Sequence, residues 1–166
     1  MYNFAPAVAS GEKQIVYGAC RPAHPTQAPA DDSIGQWCHF MRERGIKRVC
    51  CLLDDNHLSA YDSLLTQYQQ KFGDDRVCSA PIPDFEPVDA DQLHNTILPF
   101  LRDSRRADEP VVVHCSAGSG RTGHVLVLWL AEDCGYNLDE AIELIKRTGR
   151  YPLEGTTRVQ LSELLE

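Results

Sequence analysis

The sequence predicts one α/β domain, residues 1–166, built on a central, mostly parallel sheet of four to five strands flanked by helices. Two observations lead to this fold class. Short β-branched runs alternate along the chain with segments whose apolar residues recur at helical spacing. The length of 166 residues suits one domain with a sizeable core, and we find neither an internal repeat nor a linker between two cores.

Four strands are expected where short apolar runs are bounded by turn-forming residues. They are residues 15–20, 48–53, 76–80 and 111–113. Helices are expected between them. Asp32 or Ser33 can cap the first helix, which Gly45 ends, and Ser59 with Asp62 resembles a capping box for the second.

The second half of the chain is predicted to be mostly helical. Pro99 should kink the third helix or end it early. Residues 125–131 are apolar all round, which is typical of a helix buried at the centre of a domain. Gly135 ends this helix, and Asn137 with Glu140 caps the next one. A last helix carries four apolar residues: Val159, Leu161, Leu164 and Leu165.

Residues 114–123 read His-Cys-Ser-Ala-Gly-Ser-Gly-Arg-Thr-Gly, between a predicted strand and the predicted central helix. In such a connection, successive backbone N–H groups point into one concave site at the positive end of the helix. We call residues 115–121 the phosphate loop, because a site of this kind binds a tetrahedral dianion. It also carries a thiol, that of Cys115. The segment therefore predicts an enzyme that takes phosphate onto a cysteine.

Each side chain in this segment has an expected role. A cysteine attacks as a thiolate, which helix N-termini and cationic neighbours stabilise. Cys115 would have both influences, from the loop amides and from Arg121, and Thr122 can donate its hydroxyl hydrogen to the thiolate. The planar fork of Arg121 matches two phosphoryl oxygens. His114 is expected to support the loop by hydrogen bonding to the backbone beneath it.

The remaining loop residues are expected to bind substrate through their amides. Gly118 and Gly120 let the chain curl with these amides inward, and Gly123 would let the helix start close against the sheet. The predicted substrate-binding residues are Ser116, Ala117, Gly118, Ser119, Gly120 and Arg121. A nucleotide-binding P-loop is excluded, because arginine stands where that motif needs lysine.

The segment resembles the active-site loop of the cysteine-dependent protein tyrosine phosphatase superfamily, H-C-x5-R-[S/T]-G, and the short chain is similar to its compact dual-specificity branch. Against H-C-S-A-G-[V/I]-G-R-[S/T]-G it departs at Ser119, where an aliphatic residue is common. The resemblance implies a general acid on a mobile loop about thirty residues before the cysteine. Asp84, in Ile82-Pro83-Asp84-Phe85, lies 31 residues before Cys115.

Other interpretations of this acidic region stay open. Pro83-Asp84 is also a common pair in ordinary turns, and Glu86, Asp89 and Asp91 are nearby substitutes for the acid. The large tyrosine-specific enzymes have tryptophan where this chain has Ile82. The resemblance also places Gln160 where some relatives position the hydrolytic water.

The resemblance implies a protein phosphatase that hydrolyses phosphotyrosine, and phosphoserine or phosphothreonine, through a phosphocysteine intermediate and without metal or cofactor. Two alternatives remain. The substrate could be a phosphoinositide, an RNA 5′-phosphate or a small phosphate ester, or the chain could be a non-catalytic phosphate-binding module. We expect a monomer that acts on a phosphorylated protein partner.

Charge and composition limit the partners and the compartment. A net charge of −8 repels nucleic acid and anionic lipid, so we expect neither as a partner. No apolar stretch approaches the roughly twenty residues that cross a bilayer, and residues 1–11 lack the features of a signal peptide. Seven cysteines without a C-x-x-C spacing favour reduced thiols in the cytoplasm. A regulatory disulfide to Cys115 stays open, with Cys20, Cys38 or Cys78 as candidates.

Three further features concern metal binding and the surroundings of the site. The histidines at positions 24, 39, 57, 94 and 124 form no spaced ligand set, so no metal site is expected. Asp54-Asp55 is read as a solvated turn at a strand end. Arg21 could reach the mouth of the site, although a surface role is at least as consistent with the sequence.

Overall fold

The computed structural model describes residues 1–8 and 14–165. At its centre is a five-stranded sheet in the order β1-β2-β5-β3-β4. The strands are β1 Ala5–Pro6, β2 Val16–Ala19, β3 Arg48–Cys51, β4 Val77–Ser79 and β5 Val111–His114. The short β1 runs antiparallel to β2, and all other neighbouring strands are parallel. The predicted fold class is confirmed, although β1, a two-residue strand that ends in a proline, was not predicted.

The helices described by the structure flank this sheet. They are α1 Ser33–Glu43, α2 Asp55–Leu58, α3 Leu64–Phe72, α4 Ala90–Gln92, α5 Leu98–Ala107, α6 Gly120–Asp133, α7 Leu138–Lys146 and α8 Arg158–Leu164. A single 3-10 turn, Asp74–Arg76, precedes β4. No helix among these residues is long and apolar enough to pass through a membrane.

The Ser59 and Asp62 capping box was a wrong prediction, because Asp54 caps the short α2 and α3 starts only at Leu64. Pro99 does not end its helix early, since α4, a π-helical turn at Leu93–Ile97 and α5 follow one another without a break. The regular α-helical pattern is interrupted by the π-helical turn directly before Pro99, and the predicted kink stays a prediction.

The core lies on both faces of the sheet. Val111 and Val113 of β5 pack with the apolar residues of α5, α6 and α7, whereas Val112 faces the layer of α1 and α3. Every residue of α6 from Gly120 to Leu130 is buried, which confirms the predicted central helix. The last helix is only partly as expected, since Leu161 is buried but Val159 is 63 % exposed.

The parallel strands bring their carboxyl ends to one edge of the sheet. Ala19 at the end of β2 and Cys51 at the end of β3 both lie beside His114 at the end of β5. The phosphate loop begins at this edge, and α6 follows it. Crevices at the carboxyl ends of parallel strands are the usual ligand sites of open α/β sheets. The fold therefore places Cys115 where a binding site is expected.

Candidate active site

On the convex side of the phosphate loop, backbone carbonyl oxygens accept hydrogen bonds from Arg21 and Asn3. The backbone N–H of Arg21 donates to the oxygen of Ser116 at 2.9 Å. The side chain of Asn3 donates to the oxygens of Ala117 and Gly118 at 3.3 and 3.2 Å. In a trans peptide unit the C=O and the following N–H point in opposite directions. The amides of the loop therefore face the concave side, where they can bind an anion.

Two buried arginines fix this arrangement. Arg21 is 6 % exposed, and its Nε donates to Ser116 Oγ at 3.0 Å. Arg150 is 1 % exposed, and its Nη1 and Nη2 donate to the backbone oxygens of Gly118 at 2.6 Å and Asn3 at 3.0 Å. Burial lowers the pKa of Arg150 to about 10, so it stays charged at neutral pH. Arg21 is therefore a buried support of the phosphate loop and not a surface residue. The supporting role of Arg150 was not predicted from the sequence.

His114 lies beneath the loop and is completely buried. Its Nδ1 lies 3.0 Å from the backbone oxygen of Cys115, and its Nε2 lies 3.0 Å from the hydroxyl of Tyr68. Burial lowers the pKa of His114 to about 4. The hydrogen bond to the backbone of Cys115 acts in the opposite direction, whereas the charges of Arg121 and Arg21 lower the pKa further. The neutral ring then donates from Nδ1 and accepts from Tyr68 at Nε2. This is the backbone support expected of His114.

Cys115 and Arg121 line the same cavity, and both are nearly buried, at 2 % and 4 % exposure. Arg121 Nη1 donates to the backbone oxygen of Ile82 at 2.9 Å, and its Nη2 lies 3.3 Å from a carboxylate oxygen of Asp84. The buried hydroxyl of Thr122 makes no hydrogen bond to the described residues. Its donation to the Cys115 thiolate therefore remains a prediction.

The glycines of the segment permit close approaches between loops. Gly118 has a φ of +75°, and a Cβ there would lie 2.6 Å from the backbone of Ala19. At Gly123 the close neighbour is the backbone of Pro152, 3.0 Å from a Cβ position, and the expected approach of the helix start to the sheet stays a prediction. Ser119 ties the loop to the same region, because its hydroxyl oxygen accepts the N–H of Tyr151 at 3.1 Å.

Asp84 reaches the cavity from a loop that lies over it, which we call the acid loop, residues 82–88. The Asp84 side chain is 43 % exposed and lines the cavity beside Cys115. Of the alternatives for the general acid, Glu86 also lines the cavity. Asp89 instead caps α4, and Asp91 accepts a hydrogen bond from the side chain of Asn95. The structure thus brings Asp84 and Glu86 to the site.

Asp54 supports the acid loop, which corrects its assignment to a solvated turn. Its Oδ2 accepts the backbone N–H of Asp84 at 3.3 Å, and its Oδ1 accepts that of His57 at 3.0 Å. Burial raises the pKa of Asp54, but these amide bonds and the charges of His57 and Arg121 outweigh burial and lower it overall. Asp54 is therefore a fixed carboxylate behind the general-acid candidate.

The cavity has a volume of about 230 Å³ and an acidic, partly aromatic mouth. Glu86 and Glu154 contribute carboxylates in addition to Asp84, and the ring of Phe85 is 65 % exposed beside them. His24 also lines the cavity. Burial and the charge of Arg21 lower the pKa of His24, so it adds no positive charge at neutral pH.

Gln160 caps a helix. Its side-chain oxygen accepts the backbone N–H of Thr157 at 2.9 Å and the hydroxyl of Thr156 at 3.1 Å, at the start of α8. A role in positioning water therefore stays a prediction for Gln160. Among residues 1–8 and 14–165, no group of three or more His, Cys, Asp or Glu side chains is placed to hold a metal ion. All seven cysteines are free thiols, and Cys134 is the exposed one.

A family model described as a polymorphic toxin system DSP-PTPase phosphatase matches residues 24–134, more than half of the chain. This span includes Asp84, Cys115 and Arg121. The chain belongs to the dual-specificity branch of the cysteine-dependent protein tyrosine phosphatase superfamily. The resemblance drawn from the sequence is confirmed.

The relatives of this chain include a phosphatase that interacts with an RNA/RNP complex and one whose structure holds PI(5)P. RNA/RNP complex-1-interacting phosphatase of Bos taurus is 35 % identical over 63 residues, 38 % of this chain and 19 % of the relative. The chain therefore matches about a fifth of that protein. The structure of Tk-PTP in its active form has 26 % identity and a TM-score of 0.72, covering 93 % of this chain and 92 % of that one. PTPMT1 in complex with PI(5)P has a TM-score of 0.72 at 13 % identity, covering 98 % of this chain and 92 % of that one, and shows the fold alone.

Proposed function

We propose that this phosphatase hydrolyses phosphotyrosine, and phosphoserine or phosphothreonine, in proteins through a phosphocysteine intermediate. The observation that carries the proposal is that Cys115, Arg121 and Asp84 line one cavity of about 230 Å³ at the start of α6. These are a nucleophile, a fork for phosphoryl oxygens and a proton donor. Cysteine phosphatase chemistry needs all three.

The reaction has two steps. In the first, the Cys115 thiolate attacks phosphorus, the bond from phosphorus to the leaving oxygen breaks, and Asp84 gives that oxygen its proton. In the second, the Asp84 carboxylate takes a proton from water, which attacks phosphorus and releases phosphate and the thiolate. Arg121 and the loop amides hold the equatorial oxygens in both transition states.

Substrate entry requires one rearrangement at Arg121. In the empty site its guanidinium contacts Asp84 at 3.3 Å. A bound phosphoryl group offers the same fork two oxygens with more charge than one carboxylate. Arg121 then turns to the phosphate, and Asp84 is released to face the leaving oxygen. Substrate binding and delivery of the acid are thereby coupled.

The acidic mouth supports a phosphoprotein over a substrate with several phosphates. Glu86 and Glu154 stand beside Asp84, and Arg121 is the charged cation among the residues that line the cavity. A phosphoinositide or an RNA 5′-phosphate would place its further phosphate groups against these carboxylates. A phosphotyrosine side chain brings one dianion, and its ring can lie against Phe85.

The experiment compares substrate classes with matched variants. The purified chain is given p-nitrophenyl phosphate, phosphotyrosine and phosphoserine peptides, PI(5)P in vesicles and an RNA 5′-phosphate. Cys115→Ser should abolish turnover on every active substrate, and kcat/KM should be highest on the peptides. A folded wild type that binds phosphate without turnover would support the binding-module alternative. Higher kcat/KM on the RNA or the lipid would refute the phosphoprotein proposal.

A charge test separates the mouth from the chemistry. Glu154→Gln removes a carboxylate at the cavity and should raise kcat/KM on the lipid and RNA substrates about threefold relative to the peptides, as expected for one exposed charge pair. Glu163→Gln makes the same change in charge on the exposed surface of α8 and should leave this ratio unchanged. If this ratio of kcat/KM values is the same in both variants, the carboxylates at the mouth of the cavity do not select between substrate classes.

A further inference from the structure

The acid loop is attached to α6 at both of its ends. At the first end, Arg121 Nη1 donates to the backbone oxygen of Ile82 at 2.9 Å. At the second end, the backbone N–H of Val88 donates to Nε2 of His124 at 3.1 Å. Arg121 and His124 lie three positions apart, and hence on one face of the helix. Asp84 lies between the two attachments.

The two attachments respond differently to a phosphoryl group. The Arg121 guanidinium is the fork that takes phosphoryl oxygens, so its contacts to the acid loop compete with substrate. The bond from Val88 to His124 is buried, with the two residues 2 % and 1 % exposed. His124 lines the cavity together with Cys115, but Val88 does not, and the acceptor Nε2 of His124 offers no hydrogen to a phosphoryl oxygen. The bond can therefore hold the loop when Arg121 turns to the phosphoryl group.

The bond requires a neutral ring on His124. The acceptor Nε2 must carry a lone pair, so the ring hydrogen is on Nδ1. Burial lowers the pKa of His124 to about 4, and the charge of Arg121 adds to this, against an opposing effect of the Gly120 backbone. At neutral pH the acceptor for Val88 is therefore present in almost every molecule.

We propose that His124 is a positioning residue for the general-acid step. By accepting the N–H of Val88, it keeps the acid loop closed so that Asp84 stays over the leaving oxygen while Arg121 binds phosphate. This inference rests on the proposed function, in which Asp84 is the acid. The inference assigns a role to His124, which the sequence analysis considered only as one of five histidines without the spacing of metal ligands.

The test uses two aryl phosphates that differ in their need for a proton. A p-nitrophenolate leaves with little help from an acid, whereas phenolate needs one. His124→Leu removes the acceptor and keeps an apolar side chain, and His124→Gln offers an amide oxygen in its place. His124→Leu should lower kcat/KM on phenyl phosphate by about 10- to 100-fold, since small misplacements of reacting groups have effects of this size. The measure is kcat/KM because it reports the step in which the leaving oxygen departs, whereas hydrolysis of the phosphocysteine is common to both substrates. Its kcat/KM on p-nitrophenyl phosphate should change far less, and His124→Gln should recover most of the loss.

A double variant shows whether the effect passes through Asp84. In an Asp84→Asn background, His124→Leu should lower the phenyl phosphate rate no further, because the proton donor is already gone. His94→Leu is the matched control. It removes a half-buried histidine bound to the backbone oxygen of Leu164 at 2.7 Å, and it should leave the ratio of the two rates unchanged.

Three results would overturn the inference. In the first, His124→Leu lowers kcat/KM equally on both substrates. In the second, it leaves kcat/KM on phenyl phosphate unchanged, and in the third, its effect on phenyl phosphate adds to that of Asp84→Asn. Should His124→Leu not fold in thermal unfolding, His124→Gln decides, and equal losses on both substrates again overturn it. If Asp84→Asn slows phenyl phosphate and His124→Leu does not, the proposed function stands and this inference falls. If Asp84→Asn is harmless, the acid assignment fails with it.

Discussion

Replacing Gly118 with alanine should damage both the stability and the activity of this phosphatase. Gly118 has a φ of +75°, and a Cβ there would lie 2.6 Å from the carbonyl group of Ala19. The positive φ costs about 1–2 kcal/mol for a residue with a side chain, and forced overlap in a packed region costs about 1–3 kcal/mol. The free energy of unfolding should therefore fall by roughly 2–5 kcal/mol. For a chain of this size, that corresponds to a Tm lower by roughly 5–20 °C.

The same substitution should also distort the phosphate loop. The backbone oxygen of Gly118 accepts from Arg150 at 2.6 Å, so a shift of Gly118 weakens the contact that turns the loop amides inward. We expect kcat/KM on p-nitrophenyl phosphate to fall by about 100-fold, the size of effect seen for displacements near 1 Å. Urea unfolding and steady-state kinetics measure the two effects separately.

Gly135→Ala is the matched control for this prediction. Gly135 has a φ of +81°, but apart from its two neighbours in the chain no atom of the described residues lies within 4 Å of its Cβ position. It should lose about 1–2 kcal/mol from the backbone conformation alone and keep full activity. If Gly118→Ala and Gly135→Ala lower the free energy of unfolding equally and both stay active, the close approach of Gly118 to Ala19 contributes to neither stability nor activity.

Three further predictions concern the pair His114 and His124, Arg21, and Asp54. Burial lowers the pKa of His114 and of His124 to about 4, so below about pH 6.5 the unfolded chain binds protons that the folded chain does not. The free energy of unfolding should fall between pH 6.5 and 4, by up to about 2.7 kcal/mol per pH unit, and equal urea midpoints at pH 7 and 5 would contradict this. Arg21→Met removes the donor to Ser116 and should raise KM for phosphotyrosine peptides about tenfold in steady-state assays, an unchanged KM being the opposing result. Asp54→Asn weakens the hold on the acid loop and should slow phenyl phosphate more than p-nitrophenyl phosphate, whereas equal effects would indicate a general loss of structure.

The parts of the site that could be predicted are those encoded in contiguous residues. Ten residues around Cys115 determine a strand, a turn with inward amides and a helix start, and the structure has these elements in that order. The family resemblance, which implies an acid about thirty residues before the cysteine, indicated Asp84, and Asp84 lines the same cavity as Cys115. The apolar run from residue 125 was sufficient to predict a buried central helix.

The supporting residues could not be predicted, because their partners are distant backbone groups. Arg150 meets Gly118 only after α7 ends and the chain folds back over the phosphate loop. The partner of His124 is the amide of Val88, and a search for clustered ligands does not detect a single backbone bond. For Asp54, the turn was anticipated but not its bond to Asp84. In each case tertiary contact, and not local pattern, determines the role.

The order in which the chain is synthesised bears on when the active site can exist. The bond between Asn3 and Gly118 spans 115 positions, and that between Arg150 and Asn3 spans 147. Contacts of such long range form late in folding. On the ribosome, Cys115 emerges before Arg150, so the nucleophile exists for a time in a loop without its full support. Under the proposed function, a nascent chain should therefore show no phosphatase activity until residue 150 has emerged and docked.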